Sequence, residues 1–176
     1  MSPEAFSLRV FGDPVLRRRA EEITDFTPDL EAVAKRMFEI MYEEEGVGLA
    51  APQVGLSRRI VVLDVPLDDG ESFTGVLVNP RILRYEGTQK GQEGCLSVPG
   101  LREDLSRHEK LLVAAEDLEG VEFQFECTQL LSRAVQHEID HLDGILYVDR
   151  LSPVKRRLLA KKLKRIAEGR TEADES

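Results

Sequence analysis

The chain has 176 residues, of which 41% are hydrophobic and 32% are charged, and its formal net charge is −9. This length and composition favour a single globular domain with a hydrophobic core. No apolar run approaches the roughly 20 residues that a membrane-spanning helix requires, which argues against a membrane protein. The first residues lack the pattern of a secretory signal or a transit peptide, so we expect a cytoplasmic protein.

The charge is unevenly distributed along the chain. Residues 153–170 hold eight basic side chains and one acidic side chain, so the remainder is strongly acidic. An acidic body argues against nucleic-acid binding by the body, whereas the basic segment favours a local contact with a polyanion. A solvated helix face is the simpler interpretation of such a segment and stays open.

In chain order, the patterns predict two helices separated by a group of strands, with a third helix at the end. The first helix is predicted to begin near Thr27 and Pro28 and to end at Gly46. Cys127 ends an alternating pattern and is expected to be a buried small hydrophobic residue. Apolar or alternating runs predict five mainly antiparallel strands, at residues 59–65, 74–78, 81–85, 110–115 and 121–127.

The helix predicted from about Gln129 to Asp143 carries the candidate chemistry. His137 and His141 are four residues apart, so they lie on one helix face, where they can bind one metal ion. Glu138 can then reach a water on that metal. Two hydrogen-bonded core histidines are the alternative interpretation. Apolar residues on much of the circumference indicate a helix that lies against the sheet with its histidines facing inward.

Two other segments contain candidate site residues. Small residues between Gly46 and Gly55 would let the backbone approach a ligand, and Gln53 could point an amide into that site. A catalytic metal site needs a third protein ligand, but Tyr147 stands where a protease motif would place a third histidine. Cys95 is the remaining soft donor, in a turn-like segment where a thiolate could be a ligand or a nucleophile.

Three segments, in this order, resemble the signature motifs of peptide deformylases: Gly-Val-Gly-Leu-Ala-Ala-Pro-Gln at 46–53, Glu-Gly-Cys-Leu-Ser at 93–97 and Gln-His-Glu-Ile-Asp-His at 136–141. The resemblance runs from about Gly12 to Leu151. It implies an α+β fold, in which mixed, mainly antiparallel sheets pack around a central metal-binding helix, with N-terminal and C-terminal helices. We expect one catalytic domain over 1–151, a basic amphipathic helix over 152–170 and a disordered tail over 171–176.

The resemblance also implies roles for individual residues. Cys95, His137 and His141 would bind one divalent metal, with Fe²⁺ expected and Zn²⁺, Ni²⁺ or Co²⁺ as alternatives. Glu138 would be the general acid/base for a metal-bound water that attacks the formyl carbon. The remaining expected site residues are the oxyanion donors Gln53 and the backbone N–H of Leu96, and the substrate contacts Gly48, Val47, Gly94, Arg102 and Leu130. A surface charge for Arg102 and an ordinary core residue for Leu130 stay open as alternatives.

The implied activity is metal-dependent hydrolysis of the N-formyl group from the N-terminal formyl-methionine of nascent polypeptides, with release of formate. Residues 153–170 resemble the ribosome-contacting helix of bacterial deformylases, and no membrane association is expected. For Arg133 we expect the side-chain stem to pack along its helix. Two alternatives stay open, namely a zinc endopeptidase with a ligand other than Cys95, and a catalytically silent metal-bound module that docks on ribosomes.

Overall fold

The structure is a computed structural model, and it describes residues 2–169. Within that range it has three α-helices, α1 (Asp29–Glu43), α2 (Gln129–Leu142) and α3 (Pro153–Ala167). The same range contains seven strands, β1 (Gly48–Ala50), β2 (Ile60–Pro66), β3 (Ser72–Glu86), β4 (Gln89–Cys95), β5 (Val98–Arg107), β6 (Lys110–Glu116) and β7 (Glu122–Thr128). The tail predicted at 171–176 lies outside the described residues.

The strands form a five-stranded sheet in the order β1-β2-β3-β6-β7 and a separate hairpin made of β4 and β5. Each pair of neighbouring strands is antiparallel. The predicted α+β fold with mainly antiparallel sheets is therefore confirmed. None of the helices within residues 2–169 combines the length and the apolar character needed to cross a membrane.

The strand predictions are wrong in two respects. Residues 74–78 and 81–85 belong to one strand, β3, whose register against β6 shifts around Asn79. Asn79 adopts a positive φ of 48°, and its side chain hydrogen-bonds the backbone of Ile23, so the predicted break is a bulge within a continuous strand. The patterns also miss β1, β4 and β5, because β1 is very short and β4 lacks apolar alternation.

The helix boundaries shift slightly from the predictions. Pro28 occupies the N-cap position of α1, and the left-handed residue after that helix is Glu45, with φ 57°, rather than Gly46. Gly144 follows α2 with φ +74°, directly after Asp143, where the helix is predicted to end. A Cβ at this position would lie 2.7 Å from the carbonyl oxygen of Arg17, so both the conformation and the space require glycine.

Strand β2 has buried side chains on both faces, with α2 on one side and α1 on the other. Val61, Leu63 and Val65 pack in one apolar cluster with residues of α2, whereas Ile60 and Val62 pack in a second cluster with residues of α1. A third cluster joins the β4–β5 hairpin to α3 through buried apolar side chains that include Leu101, Leu105, Leu159 and Leu163. The apolar stripe of the terminal helix is therefore part of the core.

Candidate metal centre and active site

Three side chains with metal-binding atoms converge between α2 and the end of β4. Cys95 Sγ lies 3.2 Å from His141 Nε2, which lies 3.2 Å from His137 Nε2. The ligand atoms of all three residues lie within 4.8 Å of one another. A thiol and two imidazoles form a donor set that fits a divalent transition metal such as Fe²⁺, Zn²⁺ or Co²⁺. Tyr147, at the position where a protease motif has a third histidine, donates a hydrogen bond from its hydroxyl group to the carbonyl oxygen of Leu101.

A hydrogen bond orients the first histidine of this group. Nδ1 of His137 lies 2.6 Å from Oε1 of Glu93. Burial opposes the charge on Glu93, but hydrogen bonds from His137 and Arg107 hold the pKa of its carboxyl well below the ordinary value. Because the carboxylate is ionised at neutral pH, it accepts a hydrogen bond from Nδ1–H of His137, and the Nε2 atom of the ring is the one that faces His141 and Cys95.

The two histidines differ in their affinity for protons. Burial disfavours a charged imidazole, yet Cys95 and Glu93 raise the pKa of His137 well above its ordinary value. Burial and the neighbouring His137 lower the pKa of His141 well below the ordinary value. The centre therefore presents at least one neutral imidazole, that of His141, as a donor.

Glu138 is a buried carboxyl beside this centre. Burial raises the pKa of Glu138 to about 7. Its Oε2 atom has no hydrogen-bond partner within residues 2–169. A Cβ on Gly48 would lie 2.7 Å from Oε1, so only glycine allows the β1 backbone to approach so closely. A carboxyl with such a pKa can both accept and donate a proton near neutral pH.

Gln53 contributes an oriented amide from the short 3₁₀ helix Ala51–Val54. The backbone N–H of Ala50 donates to Oε1 of Gln53 at 2.9 Å. The amide nitrogen therefore turns to the other side, where Nε2 donates to Ser97 Oγ at 3.1 Å and approaches Cys95 Sγ at 3.7 Å. The sequence-predicted amide consequently points its donors towards the metal-binding group.

A cavity of about 650 Å³ opens onto these residues. Gly94 and Arg102 are directly opposite each other in the β4–β5 hairpin, and both lie at this cavity. Val47 and Leu130 are partly exposed. Every site residue predicted from the sequence except the fully buried His141 lines the cavity, as the following set shows: Val47, Gly48, Gln53, Gly94, Cys95, Leu96, Arg102, Leu130, His137 and Glu138.

Sequence reasoning missed the contacts that surround Glu93. Arg107 donates to both oxygens of its carboxylate, at 2.6 and 3.2 Å, and Arg133 donates to Oε2 at 3.0 Å. The prediction for Arg133 concerned its stem alone and did not include its guanidinium, which is buried in an ion pair with Glu93. The available signal was the position of Glu93 two residues before Cys95, which places both side chains on one face of a strand.

Comparison with known proteins agrees with this geometry. A family model described as polypeptide deformylase matches residues 6–157. The chain belongs to the polypeptide deformylase family. The peptide deformylase of Acidobacterium capsulatum is 46% identical over 156 residues, which cover 89% of this chain and 92% of that relative. That of Thermodesulfovibrio yellowstonii is 46% identical over 158 residues, which cover 89% of this chain and 95% of the relative.

Solved deformylase structures share the fold. The peptide deformylase of Thermus thermophilus superposes with a TM-score of 0.86 at 43% identity, covering 93% of this chain and 98% of that one. The peptide deformylase of Synechococcus elongatus, solved in complex with actinonin, has a TM-score of 0.82 at 37% identity and covers 96% and 90% of the two chains. The deformylase resemblance read from the three motifs is therefore confirmed.

Proposed function

We propose that this chain hydrolyses the N-formyl group from the N-terminal formyl-methionine of nascent polypeptides and releases formate. The observation that carries the proposal is the convergence of Cys95, His137 and His141 within 4.8 Å, at the wall of the cavity that Glu138 also lines. Membership of the deformylase family supports the same reaction. The endopeptidase alternative loses its main support, since the third donor beside the histidines is Cys95 rather than a downstream residue.

The three donors would hold one divalent metal, for which we propose Fe²⁺. Such a metal lowers the pKa of a bound water towards neutrality and polarises a carbonyl oxygen. The thiolate of Cys95 and the Glu93 carboxylate behind His137 would balance its positive charge. The sulfur donor distinguishes this set from the all-nitrogen-and-oxygen sets of many hydrolytic zinc sites.

Glu138 would move the proton during hydrolysis. As a base, it accepts a proton from the water whose oxygen bonds to the formyl carbon. It then delivers that proton to the amide nitrogen as the carbon–nitrogen bond breaks, so the products are formate and a free N-terminal amine. Its pKa of about 7 in the buried site suits both steps.

Two donors are proposed to stabilise the negative charge that develops on the formyl oxygen. They are Nε2 of Gln53 and the backbone N–H of Leu96. The hydrogen bond from the N–H of Ala50 to Oε1 of Gln53 holds the amide in this orientation before substrate binds. Each preorganised donor of this kind is worth about 3 kcal/mol of transition-state stabilisation.

The walls of the cavity supply the proposed substrate contacts. The backbone at Gly48 would contact the peptide, and Val47 and Leu130 offer exposed apolar surface to the methionine side chain. Arg102, opposite Gly94 on the hairpin, places a positive charge where the peptide would leave the cavity.

Formate release from a formyl-Met peptide tests the proposal directly. Protein purified without oxygen and loaded with Fe²⁺ is expected to release one formate for each free amine formed, and Zn²⁺, Ni²⁺ and Co²⁺ forms are measured in parallel. The Glu138→Gln variant serves as the matched control, because it retains all three metal donors. No release above that control, from protein with confirmed metal, would contradict the proposal.

Thiol labelling tests the ligand assignment separately from activity. Metal-free protein is expected to react with a maleimide at Cys95, which is partly exposed, and loaded protein is expected to be protected. Cys127 is the internal control, because it is buried and burial raises the pKa of its thiol to about 12. Equal labelling of Cys95 with and without metal would remove it from the ligand set.

We further propose that the exposed face of α3 contacts the ribosome and that the protein acts in the cytoplasm, where nascent chains emerge. Arg156, Arg157, Lys161 and Lys162 are exposed on this helix, whereas Leu159 and Leu163 are buried. Reversing the charges of Arg156, Arg157 and Lys161 with glutamate should therefore weaken ribosome binding in sedimentation assays while preserving the core. Unchanged binding would contradict the contact.

A further inference from the structure

A continuous series of charged side chains leads from His137 to a second cavity. Glu93 accepts hydrogen bonds from His137 and from Arg107. Nη1 of Arg107 donates at 2.6 Å to Oδ2 of Asp140. Arg150 completes the series, since its Nε donates to Oδ2 and its Nη2 to Oδ1 of the same carboxylate, both at 2.6 Å.

The outer end of the series differs from the inner part in exposure. The side chains of Glu93, Arg107 and Asp140 are at most 9% exposed, whereas that of Arg150 is 44% exposed. Arg150, Asp140 and Arg107 line a cavity of about 420 Å³ that shares no lining residue with the substrate cavity. Arg150 therefore connects to the metal-binding residues from outside the cavity that is proposed to bind substrate.

Arg150 contacts both oxygens of the Asp140 carboxylate. Within residues 2–169, the only hydrogen bond to Oδ1 of Asp140 comes from Arg150. Without Arg150, this buried carboxylate would keep only its bond to Arg107 and could rotate about its side-chain torsions. A bidentate arginine pair fixes both oxygens at once, and so it fixes the plane of the carboxylate.

Arg107 bridges Asp140 and Glu93. Its guanidinium joins Glu93 on β4 to Asp140 on α2, and these are the two elements that carry Cys95 and the two histidines. A tilt of Asp140 would move Arg107, and Arg107 holds the Glu93 carboxylate that accepts a hydrogen bond from Nδ1–H of His137.

We propose that Arg150 is a positioning residue for the metal centre. It acts through Asp140, Arg107 and Glu93 to orient His137 towards the metal. The inference rests on the proposed metal centre. Direct hydrogen-bond partners of metal ligands typically contribute 10–100-fold to metal affinity. Because Arg150 acts through intervening residues and is half-exposed, we expect its loss to speed metal dissociation about threefold to tenfold.

Arg17 offers a matched control for the effect of charge alone. It forms a two-bond pair with Asp149, which belongs to the same short 3₁₀ helix, Tyr147–Arg150, as Arg150. Its side chain is also 44% exposed, but its pair does not connect to Glu93. Removing a nearby positive charge should by itself strengthen cation binding in either variant, which is opposite to the effect expected from lost positioning.

The experiment compares wild-type protein with Arg150→Ala, Arg150→Lys and Arg17→Ala, each loaded with Co²⁺. Dissociation rates are measured by chelator competition, and the visible absorption of Co²⁺ reports the geometry of its ligands. Arg150→Ala is expected to lose Co²⁺ threefold to tenfold faster with an altered spectrum, and Arg17→Ala to match the wild type within twofold. Arg150→Lys should be intermediate, because lysine keeps the charge without the planar fork.

Thermal midpoints of the metal-free proteins separate positioning from stability. Arg150→Ala and Arg17→Ala are expected to have similar midpoints. Equal Co²⁺ dissociation from these two variants would overturn the inference, as would wild-type behaviour of Arg150→Lys or a fall in midpoint confined to Arg150→Ala. A wild-type protein that binds no Co²⁺ would instead overturn the proposed metal centre, and the inference with it.

Discussion

The five-stranded sheet and the β4–β5 hairpin contact α2 by different physical means. The sheet presents apolar side chains such as Leu63 and Val113, which pack in one cluster with Leu131 and Val135 of the helix. The hairpin reaches the same helix through buried hydrogen bonds between charged groups, which link Glu93 and Arg107 to His137, Arg133 and Asp140.

This difference separates stability from the geometry of the centre. Apolar burial is strongly favourable but has no preferred direction, so it stabilises the helix without setting the angle of a ligand. Hydrogen bonds between ionised groups are directional, and the free-energy cost of removing these groups from water offsets much of their mutual attraction. We therefore expect substitutions on the sheet side to lower the free energy of unfolding, and substitutions on the hairpin side to change the metal centre.

The largest effect is expected for Glu138→Gln, which removes the proposed acid/base group. Turnover should fall about 10²- to 10⁴-fold, because glutamine cannot transfer the proton. Co²⁺ affinity should remain close to the wild-type value, since the three donors are unchanged. Formate release and chelator competition measure these quantities. Retention of a tenth of the activity would exclude Glu138 as the acid/base group.

On the sheet side, Leu111→Ala should lower the free energy of unfolding by about 2–5 kcal/mol, because it leaves a cavity in the core. Leu111 is buried on β6, so the Co²⁺ affinity of the folded protein should not change. Leu83→Ala on β3 is the matched control, and its exposed side chain should contribute under about 0.5 kcal/mol. Urea unfolding tests both variants, and a large loss of metal affinity in Leu111→Ala would remove the distinction between the regions.

On the hairpin side, the charge of Glu93 predicts a pH dependence of stability in metal-free protein. Its folded-state pKa lies below the unfolded value, so its stabilising contribution is present above about pH 4.3 and declines as the pH falls below that value. The difference in unfolding free energy between wild type and Glu93→Gln should therefore shrink by about 1 kcal/mol between pH 6 and pH 3.5. A constant difference across this range would mean that Glu93 is not ionised in the folded protein.

The smallest effect is expected for a partly exposed ion pair between the hairpin and α3. Lys155 on α3 lies 2.9 Å from Glu103 on β5, and both side chains are partly exposed. Lys155→Ala should lower the free energy of unfolding by less than about 1 kcal/mol, and it should not change Co²⁺ dissociation. High salt should reduce the difference from wild type further. A Co²⁺ effect as large as that expected for Arg150→Ala would show that burial does not separate the two kinds of ion pair.

Local periodicity was sufficient to predict the elements whose side chains repeat with a regular helix or strand period. The four-residue spacing of His137 and His141 placed both imidazoles on one helix face, and the alternation at residues 121–127 identified β7. Strand β4 could not be predicted in this way, because its sequence, with Gly91 and Gly94, has no alternating apolar pattern. Its pairing with β5 arises from contacts between the two strands rather than from its own composition.

By itself, the sequence indicated the family through the resemblance of its three motifs, and it determined the class of fold because helix period, strand alternation and turn chemistry act between neighbours in the chain. Only the tertiary structure decided which partners those residues have. No local sequence pattern pairs Arg150 with Asp140 or Arg107 with Glu93, since several acidic residues of the chain could pair with each arginine. Packing of the hairpin on α2 removes these groups from water and selects one set of partners, and that set orients His137.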